Sequence, residues 1–168
     1  NPSGRLPVTF YKSDSDLPSF DDYAMTNRTY RYFTGKALYA FGYGLSYTNF
    51  QYSNLQLVPS KENKTVTVHA TVKNTGNRNG EEVVELYVSH HAAQQDAIRS
   101  LKGFRRISLK AGESATVSFK LGAEELSTHD NNGGYLPFKG NTLISVGGCQ
   151  PSESSTKNKQ TVQASISL

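Results

Sequence analysis

Four pairs of neighbouring carboxylates could share general acid and base work in this 168-residue chain: Asp14 with Asp16 in "SDSD", Asp21 with Asp22, Glu81 with Glu82, and Glu124 with Glu125. Their surroundings argue for humbler roles. The aspartates lie in a polar stretch with Ser and Pro, where short acidic side chains make turns and caps. Glu81 and Glu82 open a strand-like run just after a glycine turn, and Glu124 and Glu125 start a short helical turn. His69, His90, His91 and His129 lack the i,i+4 or CxxC-like spacing of a metal centre. The four aspartates lack the spacing and central glycine of a calcium loop. Cys149, the single cysteine, can close no intramolecular disulfide and supports no metal site alone. "GYGLSYT" lacks the G-x-S-x-G spacing of a nucleophile elbow, and "FGYG" precedes no Lys-Ser/Thr of a phosphate loop. The residues predict no catalytic, cofactor-binding or metal site.

The segment that does carry binding chemistry is aromatic. Nine of the eighteen Tyr and Phe residues fall between Tyr30 and Tyr52. Ring faces stack on the C–H surfaces of sugars, while tyrosine hydroxyls and arginine forks hydrogen-bond sugar hydroxyls. Arg28, Tyr30, Arg31, Tyr32, Tyr39, Phe41, Tyr43 and Tyr47 are therefore the candidate sugar or interdomain contacts. The competing role is packing between domains, where a ring buries area and its hydroxyl satisfies a polar neighbour. Interdomain packing is the reading adopted, with sugar contact retained at the edge of "FGYGLSYTNF".

Two kinds of sequence must position these residues. From residue 51 onward, short runs alternate in hydrophobicity. In "TVTVHATVKNTG" Val66, Val68, Ala70 and Val72 share one face. Val84, Leu86 and Val88 do so in "EEVVELYVS", as do Ala115, Val117, Phe119 and Leu121 in "ESATVSFKL" and Val162, Ala164, Ile166 and Leu168 at the end. With "SNLQLVPS", "LKGFRRISL" and "NTLISVGG", about seven strands result, the number in an immunoglobulin-like or fibronectin-type β-sandwich. "NTGNRNG", "KAGES" and "DNNGG" supply turn chemistry. Only "GAEELS", residues 122–127, suggests a helical turn, and the tail after Pro151 reads as a polar loop and then a strand. Residues 1–50 show no sustained period beyond a short strand in "RLPVTFY", and a structureless loop of that length is uncommon inside a compact domain. Its aromatics argue against disorder, so it is expected to pack, in part against a domain absent from this chain.

Composition narrows the partners. Net charge is +4, but the densest basic cluster, "KGFRRISLK", alternates with apolar residues as a solvated strand face would, not as the continuous stripe that binds nucleic acid. No apolar run reaches the length of a membrane span, and the opening "NPSGRLPVTF" has none of the parts of a signal peptide. A processed product or a piece of something longer is the expectation. "NRT" at Asn27 and "NKT" at Asn63 match glycan acceptor tripeptides.

"NPSGRLPVTFY", "DLPSFDDYAMTNRTYRYFTGKALYAFGYGLSYTNF", "VKNTGNRNGEEVVELYVS", "LKGFRRISLKAGESATVSFKL" and "LISVGG" occur in this order over residues 1–148. Together they resemble the carboxyl-terminal part of glycoside hydrolase family 3 enzymes. The resemblance implies three parts: residues 1–20 as the terminal strand and exit of an α/β-sandwich domain, residues 21–50 as an extended interdomain connector, and residues 51–168 as a fibronectin-III-like domain. It implies a secreted or periplasmic β-glucosidase or β-xylosidase acting on plant cell-wall oligosaccharides, with the upstream catalytic domains as partners and no cofactor. Such retaining enzymes need a nucleophile and an acid/base; in the family both lie in domains upstream of Asn1, so the chain alone is expected to be inactive. A stand-alone carbohydrate-binding or adhesion-type module is the alternative. Asn27 stands where the family usually has glycine, and Ala40 where proline is common.

Overall fold

The computed structural model describes residues 1–60, 62, 64–90, 97–129 and 132–167. His91, Asn63, Leu168 and the first two residues of the "DNNGG" turn lie outside the described residues. The alternating runs become β1 (Phe50–Ser60), β2 (Thr65–Asn74), β3 (Gly80–His90), β4 (Ser100–Leu109) and β5 (Ser114–Leu121). A short hairpin follows, β6 (Ser127–His129) with β7 (Tyr135–Pro137), and then β8 (Asn141–Gly147) and β9 (Thr161–Ser167). Seven of these strands form two antiparallel sheets, β1-β2-β5 and β4-β3-β8-β9. The architecture is the all-β, fibronectin-type sandwich that the alternation predicts.

The core lies where period two puts it. Val66, Val68, Ala70 and Val72 from one sheet and Val84, Leu86, Val88, Ile144 and Val146 from the other are all buried. β3 departs from the one-sided pattern. It pairs with β4 on one side and β8 on the other, and from Glu85 to Ser89 every residue is buried on both faces. The outer face is covered by residues of the aromatic segment, which is what places that segment on the sandwich. On β4, Leu86 pairs with Gly103 and Tyr87 with Leu101, so Lys102 forms a bulge.

Asn74 fastens one end. Fully buried, it accepts from the Thr48 hydroxyl at 2.6 Å and donates to the carbonyls of Arg78 and Leu109 at 2.8 and 3.2 Å. The side chain thus replaces ladder bonds where the strands end. Among the described residues a 3-10 turn at Asp14–Asp16 and two short α-helices complete the fold, α1 (Thr29–Tyr32) and α2 (Glu153–Lys157). The latter corrects the expectation of a polar loop after Pro151. Ser152 and Ser155 bond each other's backbone as a capping box, a signal that five residues are too few to reinforce by periodicity. "GAEELS" makes its turn, with the Leu126 N–H donating to the Gly122 carbonyl at 3.2 Å. Among the described residues no helix is long and apolar enough to cross a membrane.

Candidate interdomain joint

Residues 4–10 run antiparallel to residues 38–44 and are tied to them by backbone. The Leu6 N–H donates to Tyr43 O and the Gly42 N–H to Leu6 O, both at 2.9 Å; farther along, Phe10 N–H donates to Tyr39 O at 2.9 Å and Leu38 N–H to Phe10 O at 2.8 Å. Asn1 closes the near end, accepting from the Ser46 hydroxyl and the Tyr47 N–H and donating to Asn79 O at 2.9 Å. The two glycines of "FGYG" are there for close approach. A Cβ on Gly44 would lie 2.3 Å from the Gly4 carbonyl oxygen, and one on Gly42 would lie 2.4 Å from Glu85 Oε2. Gly42 also has φ +77°, a left-handed conformation that glycine adopts without penalty. Asn27, in the position where the family usually has glycine, sits at φ 58°, and asparagine is among the residues that best tolerate that region. Its side-chain oxygen accepts from the Thr34 N–H at 3.1 Å.

Beneath this strap lie two buried carboxylates. Glu82, 2% exposed, is ion-paired with Arg5 and accepts from the Tyr52 hydroxyl at 2.7 Å. Glu85, 4% exposed, accepts from the Tyr87 hydroxyl at 2.6 Å and has no cation bonded to it among the described residues. Burial raises both carboxyls above their ordinary value, with Arg5 the chief opposing influence on Glu82 and the Tyr87 hydrogen bond on Glu85. Burial also pushes the Cys149 thiol up to about 11, which makes it a poor nucleophile at neutral pH. One cation serving two buried acids is a structural clasp rather than an acid–base pair open to substrate.

A pH dependence follows from Glu85. A carboxyl titrating higher in the folded state than its ordinary 4.5 stabilises the fold most below the unfolded value, and that contribution is lost as pH rises through the folded value. Glu85→Gln keeps an acceptor for Tyr87 and removes the charge. It is expected to raise the thermal midpoint at pH 8 by a few degrees, on the order of 1 kcal/mol, and to flatten the decline in midpoint between pH 4.5 and 8. Calorimetry across that range checks both.

The eight aromatic and arginine candidates separate into distinct environments. Tyr30 and Phe41 are turned onto the sandwich. Their rings stack at 4.2 Å, both meet Tyr87 edge-on, and the Tyr30 hydroxyl accepts from the Leu101 N–H at 3.0 Å. Tyr39 and Tyr43 lie 4.9 Å apart, and Phe10 meets Tyr39 edge-on at 6.1 Å. With Leu6 and Leu45 these three rings line an open, largely apolar hollow of about 630 Å³. Tyr47 is 71% exposed. Arg28 folds back on its own loop, donating to the carbonyls of Ala24, at 2.9 Å, and Asp22. Arg31 lies over the Tyr32 ring at 5.5 Å, and both line a separate small cavity. Glu82 is read from the sequence only as the opening of a strand, and Arg5, Glu85 and Tyr87 are not singled out by their types or spacing. The signal for Glu85 and Tyr87 is "VVELYVS", too continuous in apolar character for a strand with one wet face.

The surface carboxylates act locally. Asp22 accepts from the Ala24 N–H at 2.8 Å, Asp21 from the Ser19 hydroxyl, and Glu125 from the Gly122 N–H at 2.8 Å. Among the described residues no group of three or more His, Cys, Asp or Glu could hold a metal ion.

Residues 1–47 match the model of the glycosyl hydrolase family 3 C-terminal domain, and residues 82–149 that of the fibronectin type III-like domain. A xylan 1,4-beta-xylosidase of Xylanibacter ruminicola is 44% identical over 130 residues, covering 77% of this chain and 15% of the relative. A periplasmic beta-glucosidase of Salmonella typhimurium is 37% identical over 164 residues, covering 87% of this chain and 21% of the relative. The crystal structure of the Bifidobacterium adolescentis GH3 beta-glucosidase superposes with a TM-score of 0.84 at 28% identity, over 99% of this chain and 26% of that one. The chain thus spans about a quarter or less of each of these proteins. The strap and connector on one side of the clasp and the sandwich on the other are each accounted for, and the chain belongs to glycosyl hydrolase family 3, of which it carries carboxyl-terminal sequence with a fibronectin type III-like domain.

Proposed function

We propose that this chain is the non-catalytic brace of an exo-acting, retaining β-glycosidase of the β-glucosidase or β-xylosidase type. The parent removes terminal sugars from plant cell-wall oligosaccharides in a secreted or periplasmic setting. The relatives' names support the reaction class, and one of them carries "periplasmic" in its name. Residues 1–20 end an α/β-sandwich domain, residues 21–50 connect, and residues 51–168 form the brace. Nucleophile and acid/base come from the preceding domains; the buried glutamates here are engaged by Arg5, Tyr52 and Tyr87. The observation that carries the reading is the two-sidedness of the aromatic segment. Tyr30 and Phe41 clamp the sandwich, while Phe10, Tyr39, Tyr43 and Leu45 border an open apolar hollow whose described lining comes from residues 2–45 and from no sandwich strand. A contiguous apolar hollow is what a further domain of the same enzyme would cover.

In the full-length enzyme, Phe10→Ser with Tyr43→Ser is expected to lower kcat/KM on an aryl β-glycoside roughly tenfold or more, because small displacements of positioned domains are costly in rate. The 168-residue chain by itself is expected to hydrolyse none. Wild-type kinetics and thermal stability in the double variant would sink the brace. Saturable binding of xylo- or cello-oligosaccharides to the chain, abolished by Tyr43→Ala, would replace it with a carbohydrate-binding module.

A further inference from the structure

Four basic side chains from four separate elements line one cavity of about 150 Å³: Arg31 from α1, His90 from β3, Lys102 from the β4 bulge and His129 from β6. Ser100 and Thr128 add hydroxyls to the same lining. Gathering the Arg31 and Lys102 cations into a half-closed space is unfavourable unless something negative offsets them. Yet the ion pairs among the described residues are Arg5 with Glu82 and Arg106 with Glu81, and none involves Arg31, Lys102 or His129. Arg31 also brings a buried Nε–H with no hydrogen-bond acceptor, and a buried orphan donor costs about 1–3 kcal/mol. Its guanidinium is held by the Tyr32 ring, so the fork is positioned in advance.

The geometry points to a binding site for a small oxyanion. The guanidinium of Arg31 and the ammonium of Lys102 supply charge-assisted hydrogen bonds to its oxygens, and the hydroxyls of Ser100 and Thr128 complete the shell. The cavity is well below the roughly 300–1,000 Å³ that takes drug-sized ligands, so the occupant is an inorganic anion or a single sugar bearing a carboxylate. The lysine reaches the cavity because it is the bulged residue; in an unbroken ladder a one-residue shift would reverse its face. This site is independent of the parent enzyme's reaction, and its failure leaves that reading untouched.

Titration calorimetry of the protein with inorganic phosphate, D-glucuronate, acetate and D-glucose tests it. Phosphate or glucuronate is expected to bind saturably at one site with a millimolar dissociation constant that weakens with added salt, while glucose does not bind. Lys102→Met and Arg31→Gln are each expected to weaken binding roughly tenfold, which corresponds to about 1.4 kcal/mol. Arg105→Gln, on the exposed face of the same strand, should leave it unchanged. Glucuronate tighter than both phosphate and acetate assigns the site to a sugar acid, and phosphate tighter than glucuronate assigns it to the free ion. The proposal is overturned if neither anion saturates, or if affinity survives Lys102→Met in a protein whose thermal midpoint is unchanged.

Discussion

Arg5→Ala is expected to lower the thermal midpoint of this chain by about 10 °C at pH 8. Arg5 reaches from the amino-terminal strap to a glutamate 77 residues away that is almost wholly out of water. Removing the cation leaves Glu82 with neutral donors, the Tyr52 hydroxyl and the Val83 backbone. Breaking one side of a buried ion pair costs about 3–5 kcal/mol, and for a chain of this size each kcal/mol moves the midpoint by roughly 2–4 °C. The loss should be smaller at pH 5 than at pH 8. Glu82 already titrates above its ordinary value because of burial, and without Arg5 it will take up a proton more readily, which relieves the uncompensated charge. Arg5→Met combined with Glu82→Leu should recover most of the stability, since an apolar pair of similar volume often replaces a buried ion pair at little cost. Calorimetric midpoints for the two single variants and the double variant complete the test. An unchanged midpoint in Arg5→Ala would mean that the strap is not fastened through this pair.

Gly42→Ala is the second large effect. An L-residue at φ +77° meets a penalty of roughly 1–2 kcal/mol from its own Cβ. Here that Cβ would also lie 2.4 Å from Glu85 Oε2 and 3.1 Å from the Cys149 Cα. The carboxylate can swing; the Cys149 backbone cannot. A total of about 3 kcal/mol is expected, with overpacking supplying what the dihedral does not. Gly112 provides the control, because it has the same φ of +77° with nothing within 4 Å of an added Cβ. Gly112→Ala should show the dihedral penalty alone. Urea unfolding of both variants measures the difference, and equal losses would remove the steric argument for "FGYG". Hydrogen exchange gives the local readout, since in Gly42→Ala the Leu6 and Gly42 amides should lose protection before those of β3.

The sandwich was legible because a strand with one wet face writes its burial into alternate residues, and all seven principal strands have such a face at least in part. Val66, Val68, Ala70 and Val72 could be assigned inward from letters alone. The hairpin at Ser127–His129 and Tyr135–Pro137 could not, since three residues per strand do not establish a period. Glu85 was hidden for a different reason. Its burial depends on the connector lying across β3, a contact between residues over forty positions apart that no local window contains. The aromatic candidates were found as a group but not apportioned. Residue type marks Tyr30 and Tyr43 alike; only the path of the chain sends one against Tyr87 and leaves the other with Phe10 and Tyr39 at the open apolar hollow. In "KGFRRISLK", Arg105 and Arg106 point to opposite faces yet both are exposed because β4 is the edge of its sheet, whereas Lys102 is displaced by a bulge that alternation cannot register.

The span of 77 residues between Arg5 and Glu82 is also an interval of time. At about 5–20 residues per second, the ribosome needs roughly 4–15 s to make Glu82 after it has made Arg5. Through that interval the strap has neither its buried anion nor the covering face of β3, and the rings of Tyr30 and Phe41 lack the Tyr87 they pack against. Any domain joined ahead of Asn1 would therefore finish its last stretch of chain late, on a schedule set by the sandwich. Nascent chains halted between Arg5 and Glu82 should be those in which the strap is most open to proteases.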